Sequence, residues 1–260
     1  MIQLDYIENF FPEHIKSNPL HKKYMLKEYL QLMILDFLST STYIRKIAFI
    51  GGTNLRLTKG IDRFSEDIDF DCSNFSEEEF KAMSDSVVKY LKRNGFNVVE
   101  KLPQDGKLKA YRSNIYFPEL LFGLGLSGHK DERFLIKLES QNQYFDYKTK
   151  FANIKGCGFF FPFPVPPDEV LCAMKISAML SRQKGRDFYD VMFLLSQTVP
   201  DYNFLSAKCN ISNLLELKDA VSEMLKNVNL NNKKRDFEHL IFDKRNSEKV
   251  LKVAEFFEAL

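Results

Sequence analysis

The chain contains no tryptophan, four cysteines and a formal net charge of only +2. Each scarcity excludes something. So small a net charge gives no general field to hold a nucleic acid, and any such contact must come from a local basic patch. Arg182, Lys184 and Arg186 form one basic cluster, and Lys233, Lys234 and Arg235 a second. The alternative reading of either cluster is a solvated loop or helix end. Cys72, Cys157, Cys172 and Cys209 are scattered without a CxxC pair, which argues against a zinc site or disulfide framework and for a reducing compartment. No apolar run reaches the roughly 18 residues that a membrane helix needs. The opening MIQLDYIENFFPEH is acidic and lacks the apolar core of a secretory signal. The expectation is a cytoplasmic protein with no membrane association. Internal repeats and low-complexity tracts are absent, no histidine pair stands at metal spacing, and no Ser-His-Asp or Cys-His arrangement stands out.

What is present is the composition of a folded domain: 45% hydrophobic and 28% charged residues, with 25 phenylalanines to fill an interior. The length of 260 residues suits one large domain or two modest ones. Met25, Tyr29, Met33 and Phe37 recur at helical spacing between Lys22 and Leu38. Ile47 to Ile50 is an apolar run ending in Gly51-Gly52, as in a buried strand followed by a turn, with a short helix over Thr53 to Leu57. Phe64 to Cys72 alternates like a strand, and Ser76 with Glu79 three residues on reads as a capping box for a helix that stops at Asn94-Gly95. Strand-like segments follow over 96–101, 109–117 and 133–140, with Asp105-Gly106 as a turn between the first two and more strand over 151–163. After Pro162, Pro164, Pro166 and Pro167 almost everything reads as helix: 168–182, 187–197, 211–228, 236–242 and 246–260. The expected boundary lies near Phe163, dividing an α/β domain over 1–163 from a helical domain over 164–260.

The chemistry concentrates in Gly51-Gly52-Thr53 and in the run Arg63-Phe64-Ser65-Glu66-Asp67-Ile68-Asp69-Phe70-Asp71. In a strand, alternate side chains share a face, so Asp67, Asp69 and Asp71 point one way while Ile68, Phe70 and Cys72 point into a core. Three carboxylates on one face repel each other and need water, an arginine such as Arg63, a lysine or a divalent cation. Magnesium takes one or two protein carboxylates together with substrate phosphates. A bare DxD is otherwise a wet acidic strand face. The glycine pair upstream changes the balance, because it lets backbone N–H groups at a helix start approach a phosphate, with the Thr53 hydroxyl beside them.

Gly51-Gly52-Thr53-x-Leu55 followed by Arg63-Phe64-Ser65-x-Asp67-Ile68-Asp69-Phe70 resembles the first motif of the AbiEii-type nucleotidyltransferases. That family sits in the DNA polymerase β-like nucleotidyltransferase superfamily and includes many toxins of toxin–antitoxin or phage-defence systems. Lys137-Leu138-Glu139 is similar to the family's Lys-x-Asp motif, with Glu in place of Asp. Lys175, then Lys184-x-Arg186-Asp187-Phe188-Tyr189-Asp190, is similar to its helical lysine and Lys/Arg-Asp-x-x-Asp segment. The motifs span about residues 47 to 195 in the family's order. The segment after about Val199 and the N-terminal helix match no motif.

The resemblance implies an α+β fold, a nucleotidyltransferase-type mixed β-sheet with flanking helices followed by a helical C-terminal part. It implies a magnesium-dependent enzyme that moves a nucleoside monophosphate (NMP) from a nucleoside triphosphate (NTP) to an acceptor hydroxyl. RNA such as a tRNA 3′ end is one such acceptor, and a cognate antitoxin is the expected protein partner. Under two-metal logic, Asp67, Asp69 and Glu139 would hold two Mg2+ ions, with Glu139 nearer the nucleophile. Gly51, Gly52, Thr53, Lys137, Lys175, Lys184, Arg186, Asp187 and Asp190 would form the nucleotide- and phosphate-binding set.

Structural alternatives stand beside these roles. Lys137 and Glu139 can form a salt bridge, Lys175 can snorkel from an apolar helix face, and Asp187 with Asp190 can cap the helix they begin. Two rival functions use the same residues: a catalytically silent nucleotide- or RNA-binding module, and a DxD glycosyltransferase, which needs neither the glycine pair nor the Lys175 helix.

Overall fold

The computed structural model describes residues 3–102 and 110–260. The turn expected at Asp105-Gly106 lies outside the described residues. The chain divides into two compact units. The first comprises Met1–Gly60, Phe64–Tyr144 and Thr149–Val165, and the second comprises Ile61–Arg63, Phe145–Lys148 and Pro166–Leu260.

The first unit opens with short helices α1 (Leu4–Glu8) and α2 (Glu13–Lys16) and the long α3 (Lys22–Ser39). Then come β1 (Ile47–Ile50), α4 (Gly51–Lys59), β2 (Asp67–Cys72), α5 (Glu77–Arg93), β3 (Val99–Lys101), β4 (Tyr111–Tyr116), α6 (Leu120–Gly123) and β5 (Leu135–Gln141). The hairpin β6 (Lys150–Gly156) and β7 (Phe159–Val165) closes it. Five strands form one sheet in the order β1-β2-β5-β4-β3, in which β2 and β5 run parallel and the other neighbours antiparallel. This is the mixed sheet of an α+β fold.

Local chemistry explains most of these elements. Ser76 Oγ accepts from the Glu79 N–H at 3.2 Å and Glu79 Oε2 accepts from the Ser76 N–H at 3.0 Å, so the capping box starts α5 as expected. Gly95 then ends it at φ +85°. Helix α3 buries more than the single expected stripe. Leu26, Leu30, Ile34 and Leu38 are fully buried beside Met25, while Phe37 stacks on Tyr90 of α5 at 4.4 Å. A helix packed on several sides needs apolar residues all round rather than on one face. Pro162 and Pro164 lie within β7, paired with Asn153 and Phe151, in a two-stranded sheet where an edge position tolerates the missing N–H. Phe49, Phe70 and Phe163 meet at 5.9–6.2 Å and form the aromatic heart of this unit.

The second unit is helical: α7 (Asp168–Arg182), α8 (Gly185–Leu195), α9 (Tyr202–Cys209), α10 (Leu214–Leu225), α11 (Leu230–Arg235), a 3-10 stretch over Lys244–Lys252 and α12 (Val253–Ala259). Residues 236–242, expected as a helix, form turns instead. Ile241 there bridges Arg63, and the Phe242 N–H reaches the Asp62 carbonyl at 3.0 Å. A long-range backbone pairing overrides the helical spacing of Phe237, Leu240 and Ile241. Among the described residues no helix is long and apolar enough to cross a membrane.

Candidate active site

The acidic face of β2 is built as alternation requires. Ile68, Phe70 and Cys72 are buried, at 0%, 1% and 3% exposure, and the intervening aspartates occupy the opposite face. Parallel pairing sets Asp67 beside Lys137 and Asp69 beside Glu139. Antiparallel pairing then sets Arg112 of β4 beside Glu139 and Asn114 beside Lys137. Directly paired residues share a face, so two rows of functional side chains cross the sheet.

Charge neutralisation along these rows is internal. Lys137 Nζ stands 3.4 Å from Asp67 Oδ2 and 3.6 Å from Glu139 Oε1. Arg112 Nε stands 2.7 Å from Glu139 Oε1. All four side chains keep part of their surface open to solvent. Asp71, at the far end of the strand, is buried and accepts from the Gln143 N–H at 2.9 Å. Arg63, considered above as a counter-charge to the aspartates, pairs with Asp190 in the second unit.

Gly51 and Gly52 are not a turn before a helix; they are the first residues of α4 itself. Gly51 has φ +81°, and a Cβ built on it would fall 2.1 Å from Asp69 Oδ2. Only glycine permits that approach, so the carboxylate of Asp69 rests on the opening turn of α4, where backbone N–H groups lack intrahelical partners. Thr53 is fully buried, and its hydroxyl donates to the Asp67 carbonyl. That bond ties the helix start to the strand end carrying Asp67.

Two further groups were not legible in the sequence. Arg112 is one. The other is Lys27 of α3, which lies 3.8 Å from Glu66 and 5.6 Å from the Phe134 ring centroid. Burial holds its ammonium below the usual lysine range, against the opposing pull of Glu66 and Asp67. Both depend on partners set by tertiary packing, which no local spacing signals.

Asp67 and Asp69 supply two hard carboxylates on one face beside a helix N-terminus, a set that fits one divalent ion completed by substrate phosphates. Glu139 is engaged by Arg112. Among the described residues no three His, Cys, Asp or Glu side chains are grouped so as to hold a metal ion, so Glu139 is not gathered with Asp67 and Asp69 into one donor set.

The remaining sequence candidates lie in the second unit. Asp190 is wholly buried and accepts from Arg63 Nε and Nη2 at 2.7 Å each and from Lys175 Nζ at 2.8 Å. Burial alone would raise its carboxyl pKa, but Arg63 and Lys175 more than reverse this and hold it below the usual carboxylate range. Asp187 is the third residue of α8 rather than its N-cap, and it serves the helix start from there, as the third position of a capping box does. Its carboxylate accepts from Arg182 at 2.7 and 2.9 Å and from the Lys184 N–H at 3.1 Å. Lys184 and Arg186 flank Gly185. A Cβ on Gly185 would fall 1.7 Å from the Lys233 carbonyl oxygen, so the two basic clusters of the sequence meet here.

The comparisons agree with this architecture. The family model described as nucleotidyl transferase AbiEii toxin, type IV toxin–antitoxin system, matches residues 34–246. Among solved structures, MenT4, a nucleotidyltransferase toxin from Mycobacterium tuberculosis H37Rv, shares 17% identity at a TM-score of 0.64, covering 100% of this chain and 91% of that one. JHP933 from Helicobacter pylori shares 18% at a TM-score of 0.55, covering 91% and 90%. A putative nucleotidyltransferase from H. pylori shares 18% at 0.56, covering 90% and 93%. At such identities the likeness is one of fold. No curated protein matches the chain.

Proposed function

Since the chain belongs to the AbiEii nucleotidyl transferase toxin family of type IV toxin–antitoxin systems, we propose that it moves an NMP from a magnesium-bound NTP to an acceptor hydroxyl of RNA, such as a tRNA 3′ end. The family is generally metal-dependent and implies an NTP substrate and an antitoxin partner. The observation that carries the proposal is the contact of Asp69 with the bare Cα of Gly51, which unites a carboxylate pair and a helix N-terminus in one site.

Asp67 and Asp69 would hold the metal, and a second ion would take Glu139 as its further carboxylate only by drawing it away from Arg112. When bound, the metal supplies charge neutralisation on the phosphates and acidifies the attacking hydroxyl. The N–H groups of Gly51, Gly52 and Thr53 would cradle phosphate oxygens at the start of α4. Lys137, beside Asp67, would meet developing negative charge. The acceptor oxygen attacks the α-phosphorus, the bond from that phosphorus to the pyrophosphate oxygen breaks, and the hydroxyl proton passes to Glu139. In the second unit, the exposed Lys184 and the half-buried Arg186 are the candidates for contact with phosphates or an RNA backbone. Lys175 and Asp190 form a buried ion pair, and the buried Asp187 carboxylate is paired with the partly exposed Arg182, which supports a part in holding that unit together.

The test is incubation with magnesium, each labelled NTP and total RNA, beside an Asp67→Ala/Asp69→Ala variant. Label on RNA with pyrophosphate release, both lost in the variant, is the expected result. Tight NTP binding with neither product would instead identify a silent nucleotide-binding module.

A further inference from the structure

The face of the sheet that carries Asp67 does not end at Glu139. Register continues the row Asp67–Lys137–Asn114 to Lys101 of the edge strand β3. One row further, Leu135 stands beside Tyr116, and Tyr116 beside Val99. Beyond these residues a cavity of about 350 Å³ opens, walled by Val99, Tyr116 and Phe134 and edged by Lys101, Lys130 and Arg133. Lys101 Nζ lies 5.3 Å from the Tyr116 ring centroid. Glu119 and Asp131 also reach the rim, while the third rim carboxylate, Glu132, is engaged by Lys23.

We propose that this cavity binds an unpaired base of the RNA acceptor, one or two nucleotides back from the reacting hydroxyl, with Tyr116 as the stacking platform. The proposal rests on the RNA-acceptor reading above. Three features support it. The volume lies in the small-ligand range of roughly 300–1,000 Å³. Half-exposed Tyr116 with cations at the rim is the pairing that single-stranded nucleic-acid sites use, a ring for the base and charges for the backbone. Position separates acceptor from donor. The start of α4 adjoins β1, at one edge of the sheet, whereas β3 is the other edge. Tyr116 on β4 is two strand spacings across the sheet from β2, about 10 Å, and one row along it from Asp67, about 7 Å, a reach that suits the one or two nucleotides preceding the reacting end. Glu119 and Asp131 would accept hydrogen bonds from the amino groups of such a base.

The experiment measures steady-state transfer and, separately, fluorescence anisotropy of a labelled single-stranded RNA oligonucleotide, for wild type, Tyr116→Ala, Tyr116→Phe and Arg133→Gln. Loss of one base–aromatic stack should weaken oligonucleotide binding and raise the acceptor KM of Tyr116→Ala about ten-fold or more, leaving the KM for NTP unchanged. Tyr116→Phe, which keeps the ring, should restore both. Arg133→Gln should weaken binding and flatten its salt dependence. If Tyr116→Ala raises the NTP KM instead, the cavity belongs to the incoming nucleotide and the proposal falls. Wild-type values for both parameters, in a variant that melts normally, overturn it also. Should the wild type transfer nothing to RNA while Tyr116→Ala still loses oligonucleotide binding, the transfer reading fails and the base site stands. No oligonucleotide binding by the wild type removes the site outright.

Discussion

The carboxylate of Asp69 occupies the space that a side chain at Gly51 would need, 2.1 Å from an ideal Cβ. Strand β2 and helix α4 therefore meet through a glycine, and the meeting point is where substrate phosphate and metal are expected. Gly51→Ala should cost about 1–2 kcal/mol of stability for a left-handed backbone. Its larger effect should be on transfer, because Asp69 must move and a misplacement near 1 Å can cost about a hundred-fold in rate. A variant that keeps its circular dichroism and most of its melting temperature but loses transfer is the expected outcome. Near wild-type turnover would show that Asp69 is free to relocate.

In the second unit, Asp190 neutralises two cations at once, the wholly buried Arg63 and the nearly buried Lys175. Removing one partner of a buried pair strands the other charge and typically costs about 3–5 kcal/mol. Asp190→Ala should therefore lower the urea midpoint more than Lys175→Met, which leaves the Arg63–Asp190 pair intact. The same network sets a pH dependence. The carboxyl of Asp190 is held below its ordinary value, so its contribution is complete above the unfolded pKa of about 3.9. It is lost only as pH falls below that, through the folded value. Unfolding free energies of wild type and Asp190→Asn should differ by a constant from neutrality to about pH 4.5, then converge in stronger acid. Convergence already near pH 6 would contradict the assignment.

Legibility in the sequence followed the range of the forces involved. The capping box at Ser76 and the alternation of Asp67, Ile68, Asp69 and Phe70 are local, and both read correctly. The glycine pair read as a turn because glycine usually breaks a helix; here Gly51 begins one at positive φ so that Asp69 can approach. Helix α9 went unread although Asp201 caps it, accepting from the Phe204 N–H at 2.9 Å, because its apolar spacing is weak. The site's counter-charges were hidden for another reason. Arg112 reaches Glu139 only through the register of β4 on β5, and Lys27 comes from a helix far upstream.

The cysteines offer an independent check on burial. Burial pushes the thiols of Cys157 and Cys172 up to about 12 and raises that of Cys72 as well. At pH 7.5 a thiol of that pKa is ionised to the order of one part in 10⁴–10⁵, too little for ready alkylation. Cys209, at the end of α9, is only half-buried. Iodoacetamide should therefore modify Cys209 first in the native protein, and the other three only after denaturant is added, as peptide mass mapping would show. Early labelling of Cys172 would mean that α7 opens readily.

Glu139 takes the place of Asp in the motif that Lys137-Leu138-Glu139 resembles, and its side chain reaches Arg112 at 2.7 Å. That contact gives a way to learn whether the carboxylate serves the metal. If it does, Arg112 competes with the ion, and Arg112→Ala should lower the magnesium concentration for half-maximal transfer. The gain should be at most about five-fold, since an ion pair with both partners partly exposed withholds no more than about 1 kcal/mol. Glu139→Gln should shift the requirement the other way and depress the maximal rate. Magnesium titrations of the three proteins at fixed NTP distinguish the cases. Opposite shifts in the two variants would make Glu139 a metal ligand held in check by arginine. Unchanged half-saturation in both, with a lower rate in each, would make the Glu139–Arg112 pair a means of presenting the guanidinium to substrate phosphate, leaving Asp67 and Asp69 as the protein's only ligands to the ion.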